Sequence, residues 1–198
     1  MEYIAHRVNT IEDLKNVPKG YGVEVDLRDY GNRLVLQHDP FKDGEDFEKY
    51  LKYYNHGTII LNVKSEGIEF SVIEHLKKYK IKNYFFLDCT FPMINILSKQ
   101  GEKNIALRFS EFEGLDTIKN MNGTVNWIWV DCFSDFPLDK CSYQFIKNLG
   151  YNICLVSPDL LNRENDIIRY KERLFMHGIM INAVCVKLKN ISKWESEI

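Results

Sequence analysis

The densest chemistry in this sequence lies in six consecutive residues, Val23-Glu24-Val25-Asp26-Leu27-Arg28. Side chains alternate across a β-strand, so a strand here puts Glu24, Asp26 and Arg28 on one face and Val23, Val25 and Leu27 on the other. Two carboxylates spaced about 7 Å apart along a strand repel each other and are costly to bury without compensation. A hard divalent cation, Mg²⁺ or Ca²⁺, compensates them, because both prefer carboxylate oxygen. Taken alone, the segment reads equally well as an edge strand with a solvated polar face.

Other residues shift that balance. Polar side chains recur where apolar runs end: His6 and Arg7, Asn62 and Lys64, Asp88, Arg108, Asp131, Ser157 and Lys187. A ring of cations and carboxylates gathered from several strand tips suits an anionic substrate with a metal. One such residue is an ordinary solvated strand end, but the whole set is less easily explained that way.

The elements that must position this ring follow from the hydrophobic pattern. Eight short runs rich in Ile, Val, Leu and aromatics read as strands: Tyr3–Arg7, Gly22–Arg28, Thr58–Lys64, Tyr84–Asp88, Ile105–Phe109, Trp127–Asp131, Ile153–Ser157 and Ile181–Lys187. Helical patterns separate them at Thr10–Val17, Asp46–Tyr54, Glu69–Lys80, Pro92–Lys99, Leu115–Met121, Tyr143–Leu149 and Glu164–His177, and Asn190–Ile198 reads as a short closing helix. In the second, Phe47, Tyr50, Leu51 and Tyr54 fall on one face. Eight strands alternating with helices predict a minimal, closed (β/α)8 TIM barrel, a single domain over residues 1–198. A doubly wound open sheet is the alternative, but the first strand leads into His6-Arg7-Val8-Asn9-Thr10 with no glycine-rich phosphate loop. The turn residues Asp29-Tyr30-Gly31-Asn32 predict a β-hairpin that carries Arg33–His38 back to the same end of the barrel. Active sites of such barrels lie at the C-terminal ends of the strands.

His6-Arg7, Asn9-Thr10, Glu24-x-Asp26, His38-Asp39-Pro40 and Lys64, in this order, resemble the glycerophosphodiester phosphodiesterase family and its wider phospholipase-C-like superfamily. The resemblance implies metal-dependent cleavage of a phosphodiester. Glu24 and Asp26 would hold the cation, His6 and His38 would form the acid/base pair, and Arg7 and Lys64 would grip the phosphoryl oxygens. Two imidazoles that titrate near neutrality can divide the two proton transfers. The family's third metal ligand, a glutamate, is replaced by Asn62, whose amide oxygen ligates without charge, and Asp88 stands on the next strand as a further ligand. Arg108 and Lys187 add cations for phosphate, and Lys187 stands where the family carries Thr-Asp. The chain also lacks the family's insertion after His-Asp, which leaves an open site.

The substrate expected is a small or glycan- or nucleotide-linked phosphodiester. Two alternatives share the residues: lyase-type cleavage giving a cyclic phosphate, and a pseudoenzyme that holds a phosphorylated ligand without turnover. The formal net charge of -2 argues against a nucleic-acid partner. No apolar run is long enough for a membrane span, and no signal peptide is visible. Five cysteines without a C-x-x-C pair read as reduced thiols in a cytoplasmic protein. Trp127 and Trp129 are expected in the core, and His56, His75 and His177 on the surface. Tyr30 and Phe41 are expected to line the pocket. The oligomeric state is left open.

Overall fold

The computed structural model describes residues 1–196. Ten strands are present: β1 (Glu2–Ala5), β2 (Gly22–Tyr30), β3 (Arg33–Leu36), β4 (Glu45–Asp46), β5 (Ile59–Val63), β6 (Tyr84–Leu87), β7 (Ala106–Phe109), β8 (Trp127–Val130), β9 (Asn152–Val156) and β10 (Ala183–Val186). The helices are α1 (Ile11–Asn16), α2 (Phe47–Leu51), α3 (Glu69–Lys78), α4 (Phe91–Lys99), α5 (Leu115–Asn120), α6 (Lys140–Asn148), α7 (Ile167–Met176) and α8 (Ile191–Glu195). Each of the eight apolar runs contains one strand of a parallel, curled sheet. β1 sits between β10 and β2, β2 pairs with β5, β5 with β6, and β7, β8, β9 and β10 follow in order. The closing helix falls within the expected Asn190–Ile198, whose last two residues lie outside the described residues.

The architecture is TIM-barrel-like, but the expected closed ladder is not found. Between β6 and β7 there is one isolated bridge, Phe86 to Ile105, whereas β7 and β8 register over four residue pairs. Two local features account for the gap. The Ile105 N–H turns back to the Lys103 carbonyl (2.8 Å), so that donor does not cross to β6. β6 then ends at Leu87, and the next residue, Asp88, has a φ of 59° that leaves the extended region and turns the chain out of the sheet.

Alternation divides the core into two layers. Ile4, Ile60, Phe85, Leu87, Trp129, Cys154 and Cys185 form an inner cluster, with Trp127 stacked on Phe85 at 4.4 Å between centroids. Val25, Leu61, Phe86, Ile128, Leu155 and Val184 belong to the larger cluster between sheet and helices. Both tryptophans thus serve the core, as expected.

The hairpin forms between β2 and β3, which pair antiparallel from Leu27–Leu36 to Tyr30–Arg33. That register leaves a two-residue tip, Gly31-Asn32, and Gly31 takes a φ of 60° that a side chain would strain. The short strand β4, which pairs with β3, was not visible in the hydrophobic pattern; Glu45-Asp46 carries no apolar alternation. Its last residue, Asp46, caps α2 by accepting from the Lys49 N–H. Among the described residues no helix is long and apolar enough to cross a membrane.

Candidate active site

β2 carries the site. Glu24 and Asp26 are each 1% exposed, on the face of the strand opposite Val23, Val25 and Leu27. Both carboxylates are held from the β1–α1 turn. Arg7 sits at a φ of 56°, which points its N–H at Glu24 Oε2 (2.8 Å). The next amide, Val8 N–H, donates to the Glu24 carbonyl (2.9 Å). Asn9 then grips Asp26 at two points: its Nδ2 donates to Oδ2 (2.8 Å), and its Oδ1 accepts the Asp26 N–H (2.9 Å). Thr10 ends the turn by capping α1, accepting from the Asp13 N–H. The His-Arg and Asn-Thr pairs of the sequence are therefore one short turn that fixes both acids.

Two cations, Arg7 and Lys64, compensate the acids, and the His6 ring stands beside Glu24. Arg7 Nε lies 3.5 Å from Asp26 Oδ2, Lys64 Nζ lies 3.7 Å from Asp26 Oδ1, and His6 Nε2 lies 3.7 Å from Glu24 Oε2. Burial, reinforced by the neighbouring Asp26, pushes the Glu24 carboxyl up from its ordinary range. Burial, followed by the positive Arg7, holds the His6 imidazole down at about 4, so His6 is neutral at neutral pH.

Asn62, opposite Asp26 in the β2–β5 register, donates its Nδ2 to Glu24 Oε1 (2.9 Å). Its Oδ1 is buried and has no hydrogen-bond partner among the described residues. A buried carbonyl left unpaired is costly. Glu24, Asp26 and the Asn62 amide oxygen form a hard-oxygen donor set that suits Mg²⁺ or Ca²⁺, which need few protein ligands and take the rest from water or substrate. Among the described residues there is no group of three or more His, Cys, Asp or Glu side chains placed to hold a metal ion.

His38 reaches this end of the sheet through the hairpin. Gln37 N–H donates to the Asp26 carbonyl (2.9 Å), and the Arg28 guanidinium holds the His38 carbonyl through Nε (3.1 Å) and Nη2 (2.9 Å). The third arm of Arg28 donates to the Lys64 carbonyl (3.0 Å), so one side chain ties down the backbone of both residues. The His38 ring is 44% exposed, and its Nδ1 lies 3.0 Å from Asp39 Oδ1. Lys42 first, and then His38, hold the Asp39 carboxyl down at about 2.

Asp88 and Arg108, read from the sequence as a metal ligand and a phosphate-binding residue, are paired with each other. Asp88 lies 3.4 Å from Lys64 Nζ and pairs with Arg108. Arg108 also pairs with Asp131 and approaches Glu113 (3.7 Å), so three carboxylates surround it. Burial raises the Asp131 carboxyl, against the opposing pull of Arg108. Signs thus alternate across the strand tips, from Asp26 through Lys64, Asp88 and Arg108 to Asp131. Lys187 donates its Nζ to Asn162 Oδ1 (3.4 Å) and its N–H to Asp159 Oδ2 (3.2 Å). Asp159 is fully buried and had no signal beyond the Ser-Pro-Asp turn that follows β9.

Asn9 and Arg28 were the other positioning residues the sequence reading left without a role, although alternation had placed Arg28 on the acidic face. Tyr30 lies at the hairpin tip and Phe41 is 97% exposed. His56 donates its Nε2–H to the Val17 carbonyl (3.0 Å), His75 is half-buried against Ser71, and His177 is exposed.

No protein-family model matches the chain, and no curated protein matches it in sequence. Among solved structures, the chain is similar to the crystal structure of a glycerophosphodiester phosphodiesterase from Agrobacterium tumefaciens str. C58. The TM-score is 0.63 at 12% sequence identity, over 93% of this chain and 96% of that one. The chain therefore shares the fold of that phosphodiesterase along nearly the whole length of both.

Proposed function

We propose that this chain is a divalent-metal-dependent phosphodiesterase that hydrolyses a glycerophosphodiester-like, glycan-linked or nucleotide-linked phosphodiester by histidine acid/base catalysis. The observation that carries the reading is the convergence of two buried carboxylates and a partnerless buried amide oxygen beside His6. The likeness in fold to a solved glycerophosphodiester phosphodiesterase supports it.

Glu24, Asp26 and Asn62 would hold the cation, Mg²⁺ or Ca²⁺. When bound, that ion supplies Lewis-acid stabilisation of charge on the phosphoryl oxygens. Arg7, nearly half exposed, and Lys64 are the cations best placed to grip those oxygens, and Lys187 adds charge further along the strand ends. His6, neutral and beside Glu24, takes the proton of the attacking water. His38, oriented by Asp39 on Nδ1, donates through its other nitrogen to the leaving alcohol. Arg108 and Asp88, being paired to each other, act on phosphate only through Lys64.

The test is hydrolysis of bis(p-nitrophenyl) phosphate and of a glycerophosphodiester by the purified chain with Mg²⁺ or Ca²⁺. His6→Ala and His38→Ala should each abolish turnover, and a chelator should do the same. Turnover that survives both substitutions, or survives chelation, overturns the reading.

A further inference from the structure

The gap between β6 and β7 opens into a crevice of about 590 Å³ that runs outward between the loops following those strands and the helices α4 and α5. Asp88 and Arg108 stand at its inner end, and Glu113 and Asp116 line it further out. The Arg108 guanidinium is already taken up by Asp88, Asp131 and Glu113. Asp116 is exposed and has no ion-pair partner among the described residues. The lining therefore sets three carboxylates, Asp88, Glu113 and Asp116, against Arg108, and its formal charge stays negative when the partners just outside it, Lys64 and Asp131, are added.

The same crevice carries aromatic surface that the core does not use. Phe112 is 81% exposed and Phe91 is 51% exposed. Two phenylalanine rings left in water beside one crevice offer it an apolar contact surface. Ring faces attract cations, and a carboxylate nearby strengthens the attraction.

The geometry points to a binding site for an organic cation, an ammonium group on an apolar body, with its charge toward Asp116 and Glu113 and its apolar part against Phe112 and Phe91. An anionic ligand would meet the carboxylates, and a neutral apolar one would leave their charge unused. The site adjoins the proposed hydrolytic centre through Asp88, which contacts Lys64, but its test needs no turnover.

The experiment titrates the intact chain with benzyltrimethylammonium and, in parallel, with neutral benzyl alcohol, by calorimetry and by NMR shifts of the Phe112 and Thr117 amides. The cation should bind about tenfold or more tightly than the alcohol, and added salt should weaken it. Asp116→Asn and Phe112→Ala, both at exposed positions that leave the fold intact, should each weaken the cation severalfold, and Phe112→Tyr should restore it. Equal binding of cation and alcohol, indifference to Asp116→Asn and Phe112→Ala, or the absence of saturable shifts at millimolar cation overturns the proposal.

Discussion

Asn62 donates its amide to Glu24 at 2.9 Å, while its own oxygen, buried on the same inner face, meets no partner. The donation fixes which way the amide points, so the oxygen is turned toward the space beside the two acids. Asn62→Asp places a third carboxylate there. Without metal the variant should be destabilised by about 3–5 kcal/mol, because an added buried charge lacks compensation. Mg²⁺ or Ca²⁺ should restore the loss and bind more tightly than to the unaltered chain. Urea midpoints with and without each ion provide the check; a variant insensitive to both ions would remove Asn62 from the metal set.

Among the described residues, Asn9 is the sole side chain that meets Asp26 through both a donor and an acceptor. Asn9→Ala removes the short hydrogen bond to Asp26 Oδ2, which keeps only the longer Arg7 contact (3.5 Å), and unpairs the Asp26 N–H. The expected cost is about 2–4 kcal/mol by the usual penalty for unsatisfied buried groups. Chemical denaturation measures it, and an effect within a few tenths of a kcal/mol would show that water replaces the clamp.

Arg28 joins the His38 and Lys64 carbonyls from the centre of the acidic face. Lysine keeps the charge but cannot span two carbonyls with a planar fork. Arg28→Lys should therefore lower kcat about tenfold to a hundredfold while leaving KM within a few-fold, since misplacing catalytic groups by an ångström has costs of that order. Steady-state kinetics on the diester distinguishes this from a loss of binding.

Glu111 sets a pH dependence away from the site. Burial alone would raise its carboxyl, but the Asp135 and Ser134 amides and the Ser134 hydroxyl outweigh burial and hold it down at about 2. The unfolded chain, with an ordinary value of 4.5, takes up the proton first as pH falls. This contribution is thus complete above pH 4.5 and disappears as pH drops through about 2. Glu111→Gln should lose less stability than the unaltered chain between pH 6 and pH 2.5, read from urea midpoints, to which roughly the same carboxylate linkage applies. Equal losses would assign the loop's order to other contacts.

Hydrogen exchange should find the weak side of the sheet. β7 has a full ladder only with β8, whereas β9 is paired on both sides. Amides of Ala106–Phe109 should exchange faster than those of Ile153–Val156. Similar protection in the two segments would mean that the edge is closed in solution.

Much of this arrangement was legible before any coordinates. Alternation placed Glu24, Asp26 and Arg28 together, and the turn residues Asp29-Tyr30-Gly31-Asn32 announced the hairpin that brings His38 back. Local pattern speaks to such features because it is set by a residue's own neighbours. Partners distant in the chain are another matter. Arg108 ended a strand as Lys64 did, and only the meeting of β6, β7 and β8 surrounds it with Asp88, Asp131 and Glu113. The break in the ladder was equally hidden. It depends on one amide turning back at Ile105 and one left-handed residue at Asp88, neither of which alters the apolar run.

That break falls at mid-chain and divides the strands into a first set, β1, β2, β5 and β6, and a second, β7 to β10. The two sets are rejoined by the four-residue ladder of β1 with β10. A nick in the loop at Gly101 would therefore sever no interior ladder, and each fragment would keep its own strands in register. The molecule is in this sense a natural candidate for fragment complementation, two separately made halves reassembling through the β1–β10 ladder and the shared inner core that stacks Phe85 on Trp127.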